Sequence, residues 1–216
     1  MAVRAEASDD VRVVLPEGTD PPAAVPPPVF AAALSAYLAG HRLDMQSLAR
    51  QAGVGRATLY RRAGNREDLL DAVIWWRARR MVARQLRLGA GLSGAARIAS
   101  VVGGALRDIA ADRPLRRFIE SDPDTALRIL TGGRSAAAAG VTTALERLID
   151  LERGRGSFDA ELDSAALAYA VMRISEGFLY ADVIAARPPD VERAITVIRA
   201  LLTGLDRAQR RQVSRG

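Results

Sequence analysis

The sequence predicts an all-α fold, and three observations support that class. Leu, Ala and Arg, which all favour helix, dominate the 216 residues. From Val29 onward the apolar residues recur with a helical period, and no segment sustains the strict alternation of a half-buried strand. Gly and Pro stand between the periodic segments, where helices end. Because 49% of the residues are hydrophobic, the chain can bury a sizeable core, which excludes disorder throughout.

Residues 1–27 differ from the rest of the chain. They contain few core-forming residues and two proline clusters, at 21–22 and 26–28, which favour extended backbone. Five acidic residues outnumber two arginines there. We therefore expect 1–27 to be a flexible, Pro-rich acidic tail, and the basic segment 207–216 to be a frayed tail at the other end.

Capping residues mark the starts of several helices. Pro28 opens the first helix and Gly40 ends it. Asp44, Asn65 and Asp190 each precede an apolar periodic segment and are suited to accept hydrogen bonds from first-turn N–H groups. The predicted helices cover about 28–40, 44–52, 55–62, 66–89, 93–111, 114–120, 122–133, 134–152, 159–185 and 190–205.

Composition also narrows the chemistry. Cysteine is absent and His41 is the single histidine, which excludes disulfides and thiolate sites and leaves little room for His-based zinc sites or catalysis. The chain has no Gly-rich phosphate loop and no paired catalytic constellation. We expect no catalytic residue, no metal site and no cofactor; carboxylate or serine chemistry is the enzymatic alternative.

All 31 basic residues are arginine, and the net charge is +6. This excess suggests an anionic partner, either nucleic acid or a membrane surface, although GC-rich codon usage would also replace lysine by arginine. No run of apolar residues is long enough for a transmembrane helix. The acidic N-terminal segment does not fit a signal peptide, so we expect a cytoplasmic protein.

The segment 43–70, LDMQSLARQAGVGRATLYRRAGNREDLL, has the features of a helix-turn-helix. Two short helices are joined at 52–55, where Gly53 permits a sharp turn. Ala49 is small where the helices meet, and Val54 and Leu59 are placed to close a small core. The outward face of the second helix offers hydroxyl and guanidinium donors, which bind phosphates and base edges. That face comprises Arg56, Ala57, Thr58, Tyr60, Arg61 and Arg62.

The basic charge is concentrated on this segment. Between His41 and Arg66 there are six arginines and one acidic residue, Asp44. The remaining segments are acidic, as in 1–27, or only weakly basic over a much longer stretch, as in 81–216. This distribution favours DNA over a membrane as the anionic partner.

At this point the sequence resembles the DNA-binding domain of TetR/AcrR-type transcriptional regulators. About a dozen positions match at fixed spacing. The resemblance implies a three-helix head, 28–72, on a larger helical bundle, 73–206, that binds an effector and dimerises. The matching residues are Leu48-Ala49, Ala52-Gly53-Val54, Thr58-Leu59-Tyr60 and Glu67-Asp68-Leu69-Leu70.

The resemblance also implies which residues contact DNA. Thr58 and Tyr60 match positions that hold operator phosphates, and Arg56 and Ala57 match positions at the tip of the recognition helix that face bases. Arg61 matches a position that contacts backbone or base, and Arg66 matches one at the start of the fourth helix that contacts phosphate.

Two positions depart from the family pattern. The family has a large aromatic residue where this chain has Ala63, so Phe30 or Tyr37 has to fill the core of the head. The family favours Ser or Thr at the start of the recognition helix, where Gly55 is a weaker cap.

The string 61–66 together with Trp75-Trp76 is similar to the QsdR-like branch of the family, which is associated with lactone quorum-signal degradation. Candidate effector-binding residues are aromatic, or polar among apolar neighbours. Each has a plainer alternative, namely core packing for the aromatic residues, a basic turn around Phe118 and a salt bridge from Glu176 to Arg173. The candidates are Trp75, Trp76, Phe118, Met172, Glu176 and Tyr180.

The resemblance places the dimer interface on the last two long helices, at 160–184 and 190–205. Packing within one subunit would give a similar pattern. The candidate contacts are Leu162, Ala166, Ile195, Ile198 and Leu202.

These observations predict a ligand-responsive, homodimeric transcriptional regulator, a repressor that binds a palindromic double-stranded DNA operator. A small apolar effector, of which a lactone is one candidate, would release it by favouring another head separation. The alternatives are a helical adaptor for an acidic partner, which the Thr58-Leu59-Tyr60 pattern disfavours, and a carboxylate or serine enzyme.

Overall fold

The computed structural model describes residues 2–15, 25–181 and 189–207, and within these ranges all regular secondary structure is helical. The all-α prediction is confirmed. No helix in these ranges has the length and hydropathy needed to cross a membrane. In chain order the helices are α1 Ala2–Val14, α2 Pro27–Leu38, α3 Met45–Gln51, α4 Arg56–Ala63, α5 Arg66–Leu88, α6 Gly94–Ala111, α7 Arg113–Ser121, α8 Pro123–Thr131, α9 Ala136–Gly154, α10 Ser164–Glu176, the π-helical Gly177–Ala181, and α11 Val191–Leu205.

The chain divides into two compact units, which are described separately. The head unit is larger than the predicted segment 28–72, because α7 and α8 belong to it. Helices α5 and α9 contribute residues to both units. The head unit comprises Glu17–Arg79 and Asp112–Gly140, and the body unit comprises Met1–Pro16, Arg80–Ala111 and Val141–Gly216.

The N-terminal segment corrects the prediction of a flexible tail over 1–27, because Ala2–Val14 forms helix α1. Asp10, an acidic residue of the predicted tail, is only 5% exposed, and Val14 is 1% exposed. The Asp10 carboxylate accepts hydrogen bonds from Arg97, far along the chain, so its burial could not be inferred from the local sequence. Residues 16–24 lie outside the described ranges.

The other predicted helices lie within two residues of the observed ones, except for the segment 159–185. There α10 begins only at Ser164, because Asp163 acts as N-cap and accepts from the Ala166 N–H at 2.6 Å. After Glu176 the backbone continues as a π-helix. The predicted end at residue 185, and the C-terminal tail beyond Arg207, lie outside the described residues.

Helix α11 packs against α6 inside the body unit. Gly103 permits close approach, since an added Cβ would lie 3.3 Å from Ile195 Cγ2. Ile195, Ile198 and Leu202 are 3%, 1% and 0% exposed within a single chain. These three side chains therefore form the core of the chain itself, and the prediction that they contact a second subunit is corrected.

The core of the head unit contains buried side chains from the helix-turn-helix and from helix α2. Leu59, at the centre of α4, is 0% exposed. The predicted fillers Phe30 and Tyr37 are both buried, as is Ala63 itself. The ring of Phe30 meets that of Trp76 edge-on, with centroids 5.7 Å apart. These contacts position the two short helices of the motif.

Candidate nucleic-acid interface

The first helix of the motif, α3, begins where the sequence predicts. The Asp44 carboxylate accepts hydrogen bonds from the backbone N–H groups of Gln46, at 3.1 Å, and Ser47, at 3.2 Å. These bonds satisfy two of the free donors of the first turn. Asp44 therefore fixes the start of α3.

The turn between α3 and α4 depends on Gly53, whose φ of 64° is in the left-handed region that glycine tolerates best. The Val54 N–H donates to the Ala49 carbonyl at 3.0 Å and closes the turn. Ala49 and Leu59 are buried beneath it. This is the predicted helix-turn-helix, built from the residues the sequence indicated.

The second helix of the motif, α4, presents a polar face to solvent. Gly55 is its N-cap and makes no side-chain hydrogen bond, as expected from a residue without a side-chain acceptor. Because Gly55 supplies no acceptor, the first-turn N–H groups of α4 remain available to an anion. Tyr60 is 40% exposed and Thr58 is half-buried. The other predicted DNA-contacting residues of this helix, Arg56, Ala57 and Arg61, are exposed.

Exposed arginines of this segment carry charge that no carboxylate neutralises among the residues that the structure describes. The Arg56 guanidinium lies 5.7 Å from the centroid of the Tyr60 ring. In the same unit, by contrast, Arg128 donates to Glu67 at 2.8 Å. The arginines without an ion-pair partner in the described ranges are Arg42, Arg50, Arg56, Arg61 and Arg62.

The predicted phosphate contact Arg66 is in a different situation. Its Nη1 donates to Asp122 Oδ2 at 3.0 Å, and the side chain is 21% exposed. Its Nε is buried without a hydrogen-bond partner within the described part of the chain. Arg66 thus lies at the start of α5, as predicted, and its guanidinium is paired with Asp122 of the same unit.

The start of α5 is tightly capped. Asn65 Oδ1 accepts from the N–H groups of Glu67, at 2.7 Å, and Asp68, at 3.1 Å, while Asp68 Oδ2 accepts from the Asn65 N–H at 2.8 Å. Asn65 is the predicted N-cap, and Asp68 completes a reciprocal capping box with it. Gly64 has a φ of 69° and lies against Asp68, so only glycine fits before the cap.

Two aspartates at helix starts, Asp112 and Asp122, also hold α5 within the head unit. Asp112 caps α7 and pairs with Arg77 at 2.8 Å. Asp122 caps α8 and pairs with Arg66. Each precedes a proline in the first turn of the following helix, which is the local signal of an N-cap. Their ion pairs depend on the tertiary structure and had no signal in the sequence.

The predicted effector-binding aromatic residues of the head unit are engaged in packing. Trp76 meets Phe30, and the Phe118 ring lies 6.3 Å from that of Tyr37. Trp75 lies against Gly140, where an added Cβ would be 2.4 Å from Trp75 Cη2. These contacts fit the plainer alternative of core packing for Trp75 and Trp76, and an effector-binding role of the three side chains stays a prediction.

The predicted effector-binding residues of the body unit surround the junction between α10 and the π-helix. Met172 and Tyr180 are half-buried. Glu176 pairs with Arg173 at 2.5 Å, which is the salt bridge predicted as the plainer alternative for this residue. Burial raises the pKa of Glu176, and the nearby Arg173 opposes that shift. π-helical turns often mark functional sites, so these residues stay candidates.

The helix-turn-helix buries its inner side chains and exposes arginines that no carboxylate neutralises among the described residues. These features define a helix-turn-helix DNA-binding protein. Residues 40–73 match the family described as "Bacterial regulatory proteins, tetR family". Residues 93–203, just over half of the chain, match "Tetracyclin repressor-like, C-terminal domain". The chain belongs to the TetR family of transcriptional regulators. The comparison with curated protein sequences finds no match.

Solved structures agree with this assignment. The transcriptional repressor QsdR of R. erythropolis shares 28% sequence identity and a TM-score of 0.73, covering 82% of this chain and 93% of QsdR. FadR from Bacillus halodurans, a fatty acid degradation regulator, shares 20% identity and a TM-score of 0.54, covering 82% and 96%. FadR from Bacillus subtilis, solved with stearoyl-CoA, shares 17% identity and a TM-score of 0.54, covering 82% and 97%. The two FadR structures show a shared fold only.

Proposed function

We propose that this protein is a repressor that binds double-stranded operator DNA as a homodimer and is released by a small apolar effector. The observation that carries the DNA-binding part is the exposed face of α4 with its unneutralised arginines. In this proposal Arg56 and Ala57 face bases, and Thr58 and Tyr60 hold phosphates. Arg61 lies on the same face, next to them.

Exposed apolar side chains on the two predicted dimer helices support the dimer. Leu162, Tyr169 and Val197 are 42%, 60% and 41% exposed, although large apolar side chains are normally buried. Ala166 is exposed in the first turn of α10, three residues before Tyr169, and Leu162 lies just before the N-cap Asp163. A second copy that covers this face would remove the apolar surface from water, and a two-fold dimer would match a palindromic operator.

The proposed effector is a small apolar molecule, of which a lactone is one candidate. Its support is the similarity of residues 61–66 and Trp75-Trp76 to the QsdR-like branch, together with the polar Glu176 among half-buried Met172 and Tyr180. Helix α5 provides a continuous connection, since its residues belong to both units. An effector acts by binding better to one conformation than to another, which shifts the population of DNA-competent dimers.

The test is a titration of the full-length protein on a fluorescent duplex from the region upstream of its own coding sequence, at several salt concentrations. We expect the binding constant to fall steeply with salt, because each neutralised phosphate releases counterions. Arg62→Ala should weaken DNA binding and reduce the slope of the logarithm of the binding constant against the logarithm of the salt concentration by about one, which corresponds to one phosphate contact. Arg87→Ala is the matched control, since Arg87 is exposed and lies in the body unit.

Equal losses from the two variants, or binding that does not respond to salt, would contradict the DNA-binding proposal and favour the adaptor alternative. For the effector, acyl-homoserine lactones and γ-lactones are added to the preformed complex. Release of the DNA together with an increase of the melting temperature supports the lactone class. A lactone that changes neither quantity contradicts it, while the DNA titration still tests the repressor by itself.

A further inference from the structure

A buried charge cluster in the body unit holds helix α1. Arg97 is 1% exposed, although arginine is almost never fully buried unless paired. Its Nη1 donates to Glu152 Oε1 at 2.8 Å and its Nη2 donates to Asp10 Oδ2 at 2.6 Å. Arg155 Nη2 donates to Asp10 Oδ1 at 2.5 Å. Two arginines and two carboxylates thus balance their charges; Arg97, Asp10 and Glu152 are buried, whereas the Arg155 side chain is 42% exposed.

The two carboxylates of this cluster are held in different ways. Glu152 is 0% exposed and also accepts from the Gly94 N–H at 2.6 Å and from Ser157 Oγ at 2.7 Å. Within the described part of the chain Asp10 accepts only from the two arginines. Glu152 is therefore part of the body framework, whereas Asp10 is a carboxylate supplied by a separate segment and bound by charge.

Asp10 occupies the arginines as a ligand carboxylate would. Oδ2 accepts from Arg97 Nη2 at 2.6 Å and from Arg155 Nη1 at 3.2 Å, and Oδ1 accepts from Arg155 Nη2 at 2.5 Å. Arg155 thus holds both carboxylate oxygens, and Arg97 adds a third bond. Charge-assisted bonds of this kind are among the stronger ones in proteins. The Nε of Arg97 is buried and has no hydrogen-bond partner in the described ranges, so the cluster has donor capacity that Asp10 does not use.

The helix that carries Asp10 depends on its docking. Asp10 and Val14 are one turn apart and buried on the same face, followed by the buried Leu15, whereas Val13 is 53% exposed. An isolated helix of 13 residues is marginal in water, so α1 is helical only while this face is docked. A competitor for the arginines would therefore release a segment that loses its structure.

We propose that Arg97 and Arg155 form a carboxylate-binding site in the body unit, which Asp10 fills as an internal ligand and a free carboxylate can fill in its place. The ligand class is a compound with an accessible carboxylate group. The proposal does not depend on DNA binding, because every residue that carries it belongs to the body unit.

The first test is rescue of full-length variants by sodium acetate, with sodium chloride at equal ionic strength as the control. Asp10→Ala removes the internal carboxylate and leaves space for acetate. Asp10→Asn removes the charge but fills the same volume. We expect both variants to melt at lower temperature than the wild type, and acetate to raise the melting temperature of Asp10→Ala saturably, with a much smaller effect on Asp10→Asn. Equal effects of acetate and chloride on all three proteins would overturn the proposal.

The second test measures displacement in the wild-type protein, so it stands even if Asp10→Ala fails to fold. The side chain of Arg12 in α1 is 73% exposed, and trypsin can cleave after it only when α1 leaves the body. We expect cleavage after Arg12, followed by mass spectrometry, to be at least tenfold faster in Asp10→Asn than in the wild type. Acetate should accelerate it in the wild type, whereas chloride should not. Cleavage that is equally fast in both proteins, or insensitive to acetate, overturns the proposal.

Discussion

Arg66 at the start of α5 donates to the carboxylate of Asp122, the N-cap of α8, at a distance of 3.0 Å. The resemblance of the sequence to the TetR family predicts that Arg66 contacts phosphate, and the structure gives it an acidic partner within the head unit. The predicted contact and the ion pair would use the same guanidinium. The ion pair is about a quarter exposed, so solvent and anions can reach it.

Asp122→Asn should therefore strengthen binding to non-specific DNA several-fold at low salt and steepen the salt dependence by about one contact. The amide can still cap α8, while the competition for Arg66 is removed. Asp124→Asn removes the same charge from the first turn of α8, leaves the Arg66–Asp122 ion pair in place and serves as the control. An equal gain from both variants would assign the effect to general charge, and no gain from Asp122→Asn would exclude Arg66 from the interface.

Acid should destabilise the wild type more than Asp122→Asn. Burial by itself raises the pKa of Asp122, but hydrogen bonds from Thr125 and Arg66 outweigh it and hold that pKa below its usual 3.8. A lowered folded-state pKa contributes stability above the unfolded-state pKa, and that stability is lost as the pH falls through the folded-state value. Urea midpoints measured at about pH 6 and below about pH 3.5 should converge for the two proteins at the lower pH. If the urea midpoints of the two proteins differ by the same amount at both pH values, the result contradicts the pairing of Asp122 with Arg66.

Arg56→Ala and Tyr60→Phe should affect DNA binding in different ways. If Arg56 reads bases, its removal changes the preference among sequences, whereas loss of the Tyr60 hydroxyl weakens the operator and scrambled duplexes equally. Thr58→Ala should behave like Tyr60→Phe. Parallel anisotropy titrations on both duplexes provide the measurement. Equal weakening by Arg56→Ala on both duplexes would place Arg56 among the phosphate contacts.

Gly140→Ala should destabilise the protein by roughly 1–3 kcal/mol, because the added methyl group would overlap the Trp75 ring. The control is Gly154→Ala in the same helix, where nothing lies within 4 Å of the new Cβ. That variant should be neutral or more stable by up to about 1 kcal/mol, since Ala favours helix over Gly. Urea denaturation measures both, and a stable Gly140→Ala variant would mean that the ring can move.

Tyr169→Arg should convert the proposed dimer to a monomer. The side chain is 60% exposed on α10, and a charge there would be buried against a second subunit without a partner. Leu88→Arg provides a control at a side chain that is 68% exposed on α5. Light scattering should give twice the chain mass for the wild type and the control. If the Tyr169→Arg variant is a dimer, the interface does not include Tyr169.

The helix-turn-helix could be predicted almost residue by residue, because its signals are local. Asp44 and Asn65 cap the helices that follow them within three residues, and the Gly53 turn needs only its own backbone conformation. The dimer candidates Ile195, Ile198 and Leu202 could not be assigned in the same way. A buried apolar stripe looks identical whether it faces another helix of the same chain or a second subunit, and here it faces the same chain.

The sequence by itself determined the all-α class, most helix boundaries between residues 27 and 154, the recognition helix and the location of the basic charge, since each follows from periodicity, capping or composition within a few residues. Only the tertiary structure decided which charges are neutralised. Arg66 and Arg97 have acidic partners, whereas Arg61 and Arg62 have none among the described residues. It also decided that Asp10 is buried in a docked helix rather than exposed in a tail. Ion pairs join residues that are distant along the chain, so their partners become visible only when the chain is folded.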